Sequence, residues 1–273
     1  MKRTLKHMKR TLLATVFVGA TLLSMQVTQA QTPIYREVFG NNATPAGTNA
    51  PLSTVGWAGY WGATANDQSN PSFSNFGVSA AAGSPSTLDN INAGSSLSTV
   101  YGLLFTSGTG AANTNWIAYT TGYTVDTTAT PIADISFYAG NAAGAPGYRI
   151  AVEIGGNWYA SSATLANAVA VSSIGGFAAG AQKVTFNWTT AASAWDSLSF
   201  TPSSALVLGS TLISDLPGGN VTGFGLYSDT PASGGPTRRV DTFQIDTVPE
   251  PSSVVLALFG AGVLMSLRRA RKA

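Results

Sequence analysis

The stretch YRIAVEIGGNWYAS, residues 148–161, decides the fold. Tyr148, Ile150, Val152 and Ile154 alternate with Arg149, Ala151 and Glu153, the period of two that gives a β-strand one apolar face. Gly155-Gly156 then turns the chain into Trp158 and Tyr159, which makes a hairpin with one buried face. Shorter runs of the same kind lie to either side: DISFYAG (134–140), KVTFNW (183–188), VTGFGLYS (221–228) and RVDTFQI (239–245). Asn-, Pro- and Gly-rich links such as NAAGAPG (141–147) and TPASGGP (230–236) separate them. No stretch holds a capped 3.6-residue apolar period, and no repeat of 20–50 residues is present. The body, 31–247, is long enough for one domain with a sizeable core. A disordered Gly/Ser stalk is opposed by six tryptophans and the β-branched runs, which supply the buried area that ordering requires. The expectation is an all-β, antiparallel two-sheet β-sandwich.

Outside this body the composition changes. Residues 1–30 carry five Lys/Arg and no acid, and 252–273 carry four and no acid. Residues 31–251 hold five bases and all twelve acids, so the formal net charge of +2 describes the two ends. An acidic body without a basic stripe excludes a nucleic-acid partner argued from charge.

The N-terminus reads as a basic region MKRTLKHMKR, an apolar run from Thr11 to Met25 and a small-residue exit at Thr28-Gln29-Ala30. That order defines a signal helix over 1–30, cut by signal peptidase after Ala30; a permanent anchor is the alternative. MKRTL stands at both Met1 and Met8, so either methionine leaves a competent signal.

The C-terminus reads Pro249-Glu250-Pro251, an apolar stretch ending at Leu267, and a basic cluster of Arg268, Arg269, Arg271 and Lys272. Counted from Ser252 the apolar stretch has 16 residues. As a helix it spans ~24 Å, short of a ~30 Å hydrocarbon core. The terminal cations hold such a tail on the cytoplasmic side, and Arg268 and Arg269 extend the span by snorkelling. The two prolines keep the preceding segment extended and open to a processing enzyme. In this order the three parts of 248–273 resemble the PEP-CTERM sorting signal of exosortase-processed bacterial proteins. The resemblance implies a short transmembrane helix as a transient membrane anchor, exosortase as a partner, and a product at the cell surface or beyond it. An ordinary single-span anchor is the alternative. YREVFGNN…LSTVGWAGYWG and LPGGNVTGFGLYSD…RRVDTFQID resemble uncharacterised secreted PEP-CTERM proteins, which implies a jelly-roll, concanavalin-A-like body.

Cleavage after Ala30 leaves no histidine and no cysteine. Ser-His-Asp triads, cysteine nucleophiles and His- or Cys-based metal sites are thereby excluded. Carboxylate chemistry remains, but the body before the sorting signal has only Glu37 and Glu153 as glutamates, and Glu153 is followed by Ile-Gly-Gly rather than further acids. Asp241 and Asp246 read as turn acids or as partners of Arg238 and Arg239, themselves read as strand-edge charge. No cofactor is required; calcium on oxygen ligands is open to Asp67 and Asp229. Trp57, Tyr60, Trp61 and Trp158 are the candidates for stacking on an extracellular polysaccharide. Trp158 and Tyr159 are adjacent on a strand and face opposite sides. The favoured expectation is a non-enzymatic, structural or adhesive protein of exopolysaccharide or biofilm; a lectin-like module and a glycoside hydrolase are the alternatives.

Overall fold

The computed structural model describes residues 31–39, 49–61, 76–81, 101–106, 115–141, 147–166, 182–199, 206–228 and 238–248. Within them the hairpin read from the sequence is present. Gly155 and Gly156 have φ of 60° and 78°, the left-handed pair that a two-residue turn needs to match the strand twist.

Along the chain the strands are β1 (Thr32–Glu37), β2 (Asn49–Ala50), β3 (Ala58–Trp61), β4 (Phe76–Ala81) and β5 (Tyr101–Thr106). β6 (Trp116–Thr120), β7 (Val125–Asp126), β8 (Ile132–Asn141), β9 (Gly147–Ile154) and β10 (Asn157–Ser161) follow. The remainder are β11 (Leu165–Ala166), β12 (Gln182–Asn187), β13 (Trp195–Ser199), β14 (Val207–Thr211), β15 (Asn220–Ser228) and β16 (Arg238–Thr247). The only helical pieces among the described residues are single 3-10 turns at Leu52–Val55 and Ala192–Ala194.

One sheet runs β12-β8-β16-β5-β4-β2, with β1 added beside β16. The other runs β14-β13-β10-β9-β15-β6-β3, with β11 beside β9 and β7 beside β15. Every described pairing is antiparallel. The sheets face each other through aromatic side chains. Phe137 of β8 meets Tyr148 of β9 at 5.4 Å, and Phe186 of β12 meets Trp195 of β13 at 5.2 Å, both edge to face. Tyr148, Ile150, Val152 and Ile154 line this core as their alternation requires, each contributing about 1.5–3 kcal/mol by burial. The described body is therefore an all-β sandwich.

Two expectations for the last strand are corrected. Arg238 and Arg239 do not open an edge strand, because β16 is paired on one side with β8 and on the other with β5 and β1. Asp241 and Asp246 are not turn acids; both lie within β16 and are buried. The physical reason for the misreading is a bulge. Thr242 has φ of 52°, and the register with β8 shifts between Asp241 and Gln244. The extra residue resets the alternation, so Val240, Phe243 and Ile245 all reach the core. Asp241 Oδ1 accepts the Thr242 N–H at 2.6 Å, which holds the bulge.

The signal helix over 1–30 and the membrane helix after Pro251 lie outside the described residues. Among the described residues no helix is long and apolar enough to cross a membrane.

Candidate functional site

The body ends where the sorting signal begins. Thr247 closes β16 opposite Thr32 of β1, and its hydroxyl donates to the Thr32 carbonyl at 3.2 Å. Val248 is exposed, yet its N–H still bonds the Pro131 carbonyl at 3.0 Å. The chain is thus held by the sheet up to the residue before Pro249, with no linker between them. Ala30, Pro249, Glu250, Pro251, Arg268, Arg269, Arg271 and Lys272 themselves lie outside the described residues.

The second feature is the outer face of the nine-stranded sheet. A second apolar cluster forms there from Tyr60, Ile117, Ala151, Ala160, Leu198, Leu206 and Tyr227, with Tyr119, Trp158 and Leu208 packed at its margin. Strand register explains the grouping. Tyr119 of β6, Gly225 of β15, Ala151 of β9 and Ala160 of β10 form one row across the sheet. Gly223, Glu153, Trp158 and Leu198 form the next. The Trp158 indole reaches from β10 across β9 to β15, where a Cβ at Gly223 would stand 2.8 Å from its Cη2. Glycine at 223 is what lets the ring lie flat against the sheet. Beyond it the indole meets the Tyr119 ring at 5.1 Å, and Tyr119 stacks on Tyr60 at 6.0 Å and 17°.

Polar groups border this band. Glu153 Oε2 accepts the Thr222 hydroxyl at 2.9 Å beside the indole. Tyr227 Oη accepts the Asn115 amide at 3.0 Å. Arg149 bonds Asp196 at 3.1 Å and donates to the carbonyls of Ser161 and Ser162. Asp196 also accepts the hydroxyls of Ser162 and Thr211, at 2.6 and 2.8 Å. That fully bonded set ties the β9, β10, β13 and β14 region together, a structural role. Tyr119, Trp158, Glu153 and Thr222 are the half-exposed members of the band, whereas Tyr60 and Tyr227 are buried.

The sequence candidates divide accordingly. Tyr60 and Trp158 come together on the outer face. Trp57 does not join them: it is 2% exposed in the inter-sheet core, edge to face with Phe39 and Phe243, and its indole donates to Tyr35 Oη at 3.0 Å. Trp61 ends β3, and its side chain lies outside the described residues. Tyr159 turns inward, as the alternation with Trp158 requires. Tyr119 and Thr222 were not singled out from sequence; register alone brings them to Trp158.

The two candidate glutamates do not form a pair. Glu37 sits on β1, where burial lifts its carboxyl to about 6 although the Phe39 N–H bonds it at 2.6 Å. Glu153 is on the outer face of the other sheet, so the sheet itself stands between them. Asp67 and Asp229 lie outside the described residues. Among the described residues no three Asp, Glu, His or Cys side chains converge as metal ligands.

Residues 247–272 match the PEP-CTERM protein-sorting motif, so the chain carries that sorting signal at its C-terminus. No curated protein matches the chain. Three solved structures are similar over most of its length. The family 11 carbohydrate-binding module of cellulosomal cellulase Lic26A-Cel5E of Clostridium thermocellum is 12% identical, with a TM-score of 0.39, covering 81% of this chain and 99% of that one. The CBM22-1 xylan-binding domain of Paenibacillus barcinonensis Xyn10C is 13% identical, with a TM-score of 0.32, covering 82% and 100%. The carbohydrate esterase vb_24B_21 of Shiga toxin-encoding bacteriophage phi24B is 8% identical, with a TM-score of 0.35, covering 81% and 100%.

Proposed function

We propose that this chain is an exported, non-enzymatic surface or matrix protein, with a structural or adhesive role in exopolysaccharide or biofilm. The sorting motif at 247–272, following the last strand without a linker, is the observation that carries this reading. In it, signal peptidase cuts after Ala30. The apolar tail and its cluster of Arg268, Arg269, Arg271 and Lys272 then hold the protein at the membrane until exosortase acts at Pro249-Glu250-Pro251. The test is fractionation of cells carrying the wild-type chain or a triple alanine variant at 249–251. Wild type is expected outside the membrane in a shortened form, and the variant at full tail length in the membrane. Equal processing of the two would refute exosortase recognition, and a cytoplasmic chain retaining residues 1–30 would refute export.

A lectin-like role for the body is the second reading, favoured by the half-exposed Tyr119–Trp158 pair with Glu153 and Thr222 beside it. Aromatic faces stack on pyranose rings, and a carboxylate with a hydroxyl fixes their orientation. A glycan array tests it, since loss of signal in Trp158→Ala must accompany any genuine binding.

A further inference from the structure

The outer face of the seven-stranded sheet carries an arrangement that neither the sorting motif nor the aromatic band uses. Ile135, Phe137 and Ala139 of β8 point into the core, which turns Asp134 and Ser136 outward. Register sets Asp246 of β16 directly opposite Asp134, and Asn187 of β12 on Asp134's other side. Opposed residues have Cβ atoms ~4.5–5.5 Å apart, and like charges so placed repel. Both carboxylates are nevertheless buried, at 6% exposure for Asp134 and 2% for Asp246.

Their hydrogen bonding is unequal. Gln244 Nε2 donates to both oxygens of Asp246, at 2.9 Å each. Asp134 Oδ1 is buried and has no hydrogen-bond partner among the described residues. Burial and the neighbouring Asp134 raise the Asp246 carboxyl above the ordinary range, while the Gln244 bond and Lys183 of β12 act against them. Lys183 is exposed and offers one screened charge against two buried ones. A buried carboxylate oxygen without a donor is costly unless something else satisfies it.

We propose that Asp134 and Asp246 hold a calcium-class divalent cation between β8 and β16, with the Asn187 amide oxygen and the Ser136 hydroxyl completing its protein ligands. The donor set is all oxygen, which suits calcium with its flexible geometry and ~2.3–2.6 Å bonds; magnesium demands a stricter octahedron. The cation neutralises the opposed carboxylates and ties the last strand to its neighbour. This inference is independent of both functional readings above.

The full chain, purified in mild detergent, is unfolded thermally with EDTA or with calcium chloride at about fifty times its dissociation constant, following tryptophan fluorescence. Calcium is expected to raise the midpoint by about 4 °C or more, and magnesium by less. Asp134→Asn and Asp246→Asn are each expected to remove that rise, and Asp134→Asn to be the more stable chain in EDTA because the repulsion is gone. Asn187→Ala, at an exposed position that leaves folding intact, is expected to weaken calcium affinity severalfold if the carboxylate variants fail to fold. No calcium effect on wild type overturns the proposal, as does an effect that survives the carboxylate variants, or an affinity unchanged by Asn187→Ala.

Discussion

Replacing Glu37 by glutamine is expected to stabilise the body at neutral pH and to leave it unchanged in mild acid. The carboxyl sits half-buried on β1, and burial is the largest cause of its rise from 4.5 to about 6. The opposing influences are the backbone N–H groups of Phe39 and Val38, and a glutamine Oε1 keeps those acceptor contacts. A raised carboxyl favours the neutral form in the fold. Its contribution is therefore fully present below pH 4.5 and is lost as pH rises through about 6. The rise from 4.5 to about 6 corresponds to at most about 2 kcal/mol; partial solvation at the strand end makes this an upper figure. For a body of this size that is a midpoint difference of about 4–8 °C. Thermal unfolding of wild type and Glu37→Gln at pH 4, 5, 6, 7 and 8 measures it. The two curves should coincide at the acid end and separate above pH 6, with the variant higher. A constant offset at every pH, or a variant less stable at pH 7, would refute the assignment of the shift to desolvation.

Three further outcomes follow from the packing. Trp57→Ala should cost about 3–5 kcal/mol in denaturant unfolding without a specific effect on glycan retention, because its ring is enclosed with Phe39 and Phe243. Gly223→Val should push the Trp158 indole off the sheet, since a Cβ there already meets ring atoms at 2.8 and 2.9 Å. A shift of the tryptophan emission with a loss of about 1–3 kcal/mol would show it. Asp196→Ala should cost about 3–5 kcal/mol by leaving the Arg149 guanidinium, at 3.1 Å, without its counter-charge; an unchanged midpoint would mean the bridge is solvated.

How far the sequence led depended on whether a residue's role was local. The 148–161 hairpin needs only alternation and two glycines, and both are visible in the chain. β16 misled because its alternation slips at Asp241-Thr242, and nothing in RRVDTFQI marks a bulge in a strand of ordinary composition. The same slip concealed that Asp246 faces Asp134, a pairing between residues more than a hundred positions apart. The aromatic candidates show the same limit. GWAGYWG offers Trp57 and Tyr60 as neighbours, but Trp57 stands just before β3 and Tyr60 an odd number of residues further on within it, so one enters the core and the other leaves it. Tyr119 stood unmarked in WIAYT because its partners, Tyr60 and Trp158, come from separate strands.

The topology also bears on the order of events in the proposed export. β1 is the first strand of the body and β16 the last, and they are paired from Thr32–Thr247 to Glu37–Phe243. β16 is in addition the strand that joins β8 to β5. Until residue 247 has crossed, the seven-stranded sheet lacks its connecting strand, and β1 has no described partner other than β16. A protein translocated from its N-terminus therefore completes its fold only as the sorting motif reaches the membrane. In the proposed export, an apolar stop there would halt translocation at the point where the last strand is available and the tail after it is not yet free. Deleting residues 268–273 should then release an unprocessed chain whose body is nonetheless folded, as judged by protease resistance. Truncation at 237 should yield a body that proteases degrade. A protease-resistant 1–237 chain would show that the sandwich closes without β16, and the coupling between folding and sorting would fall with it.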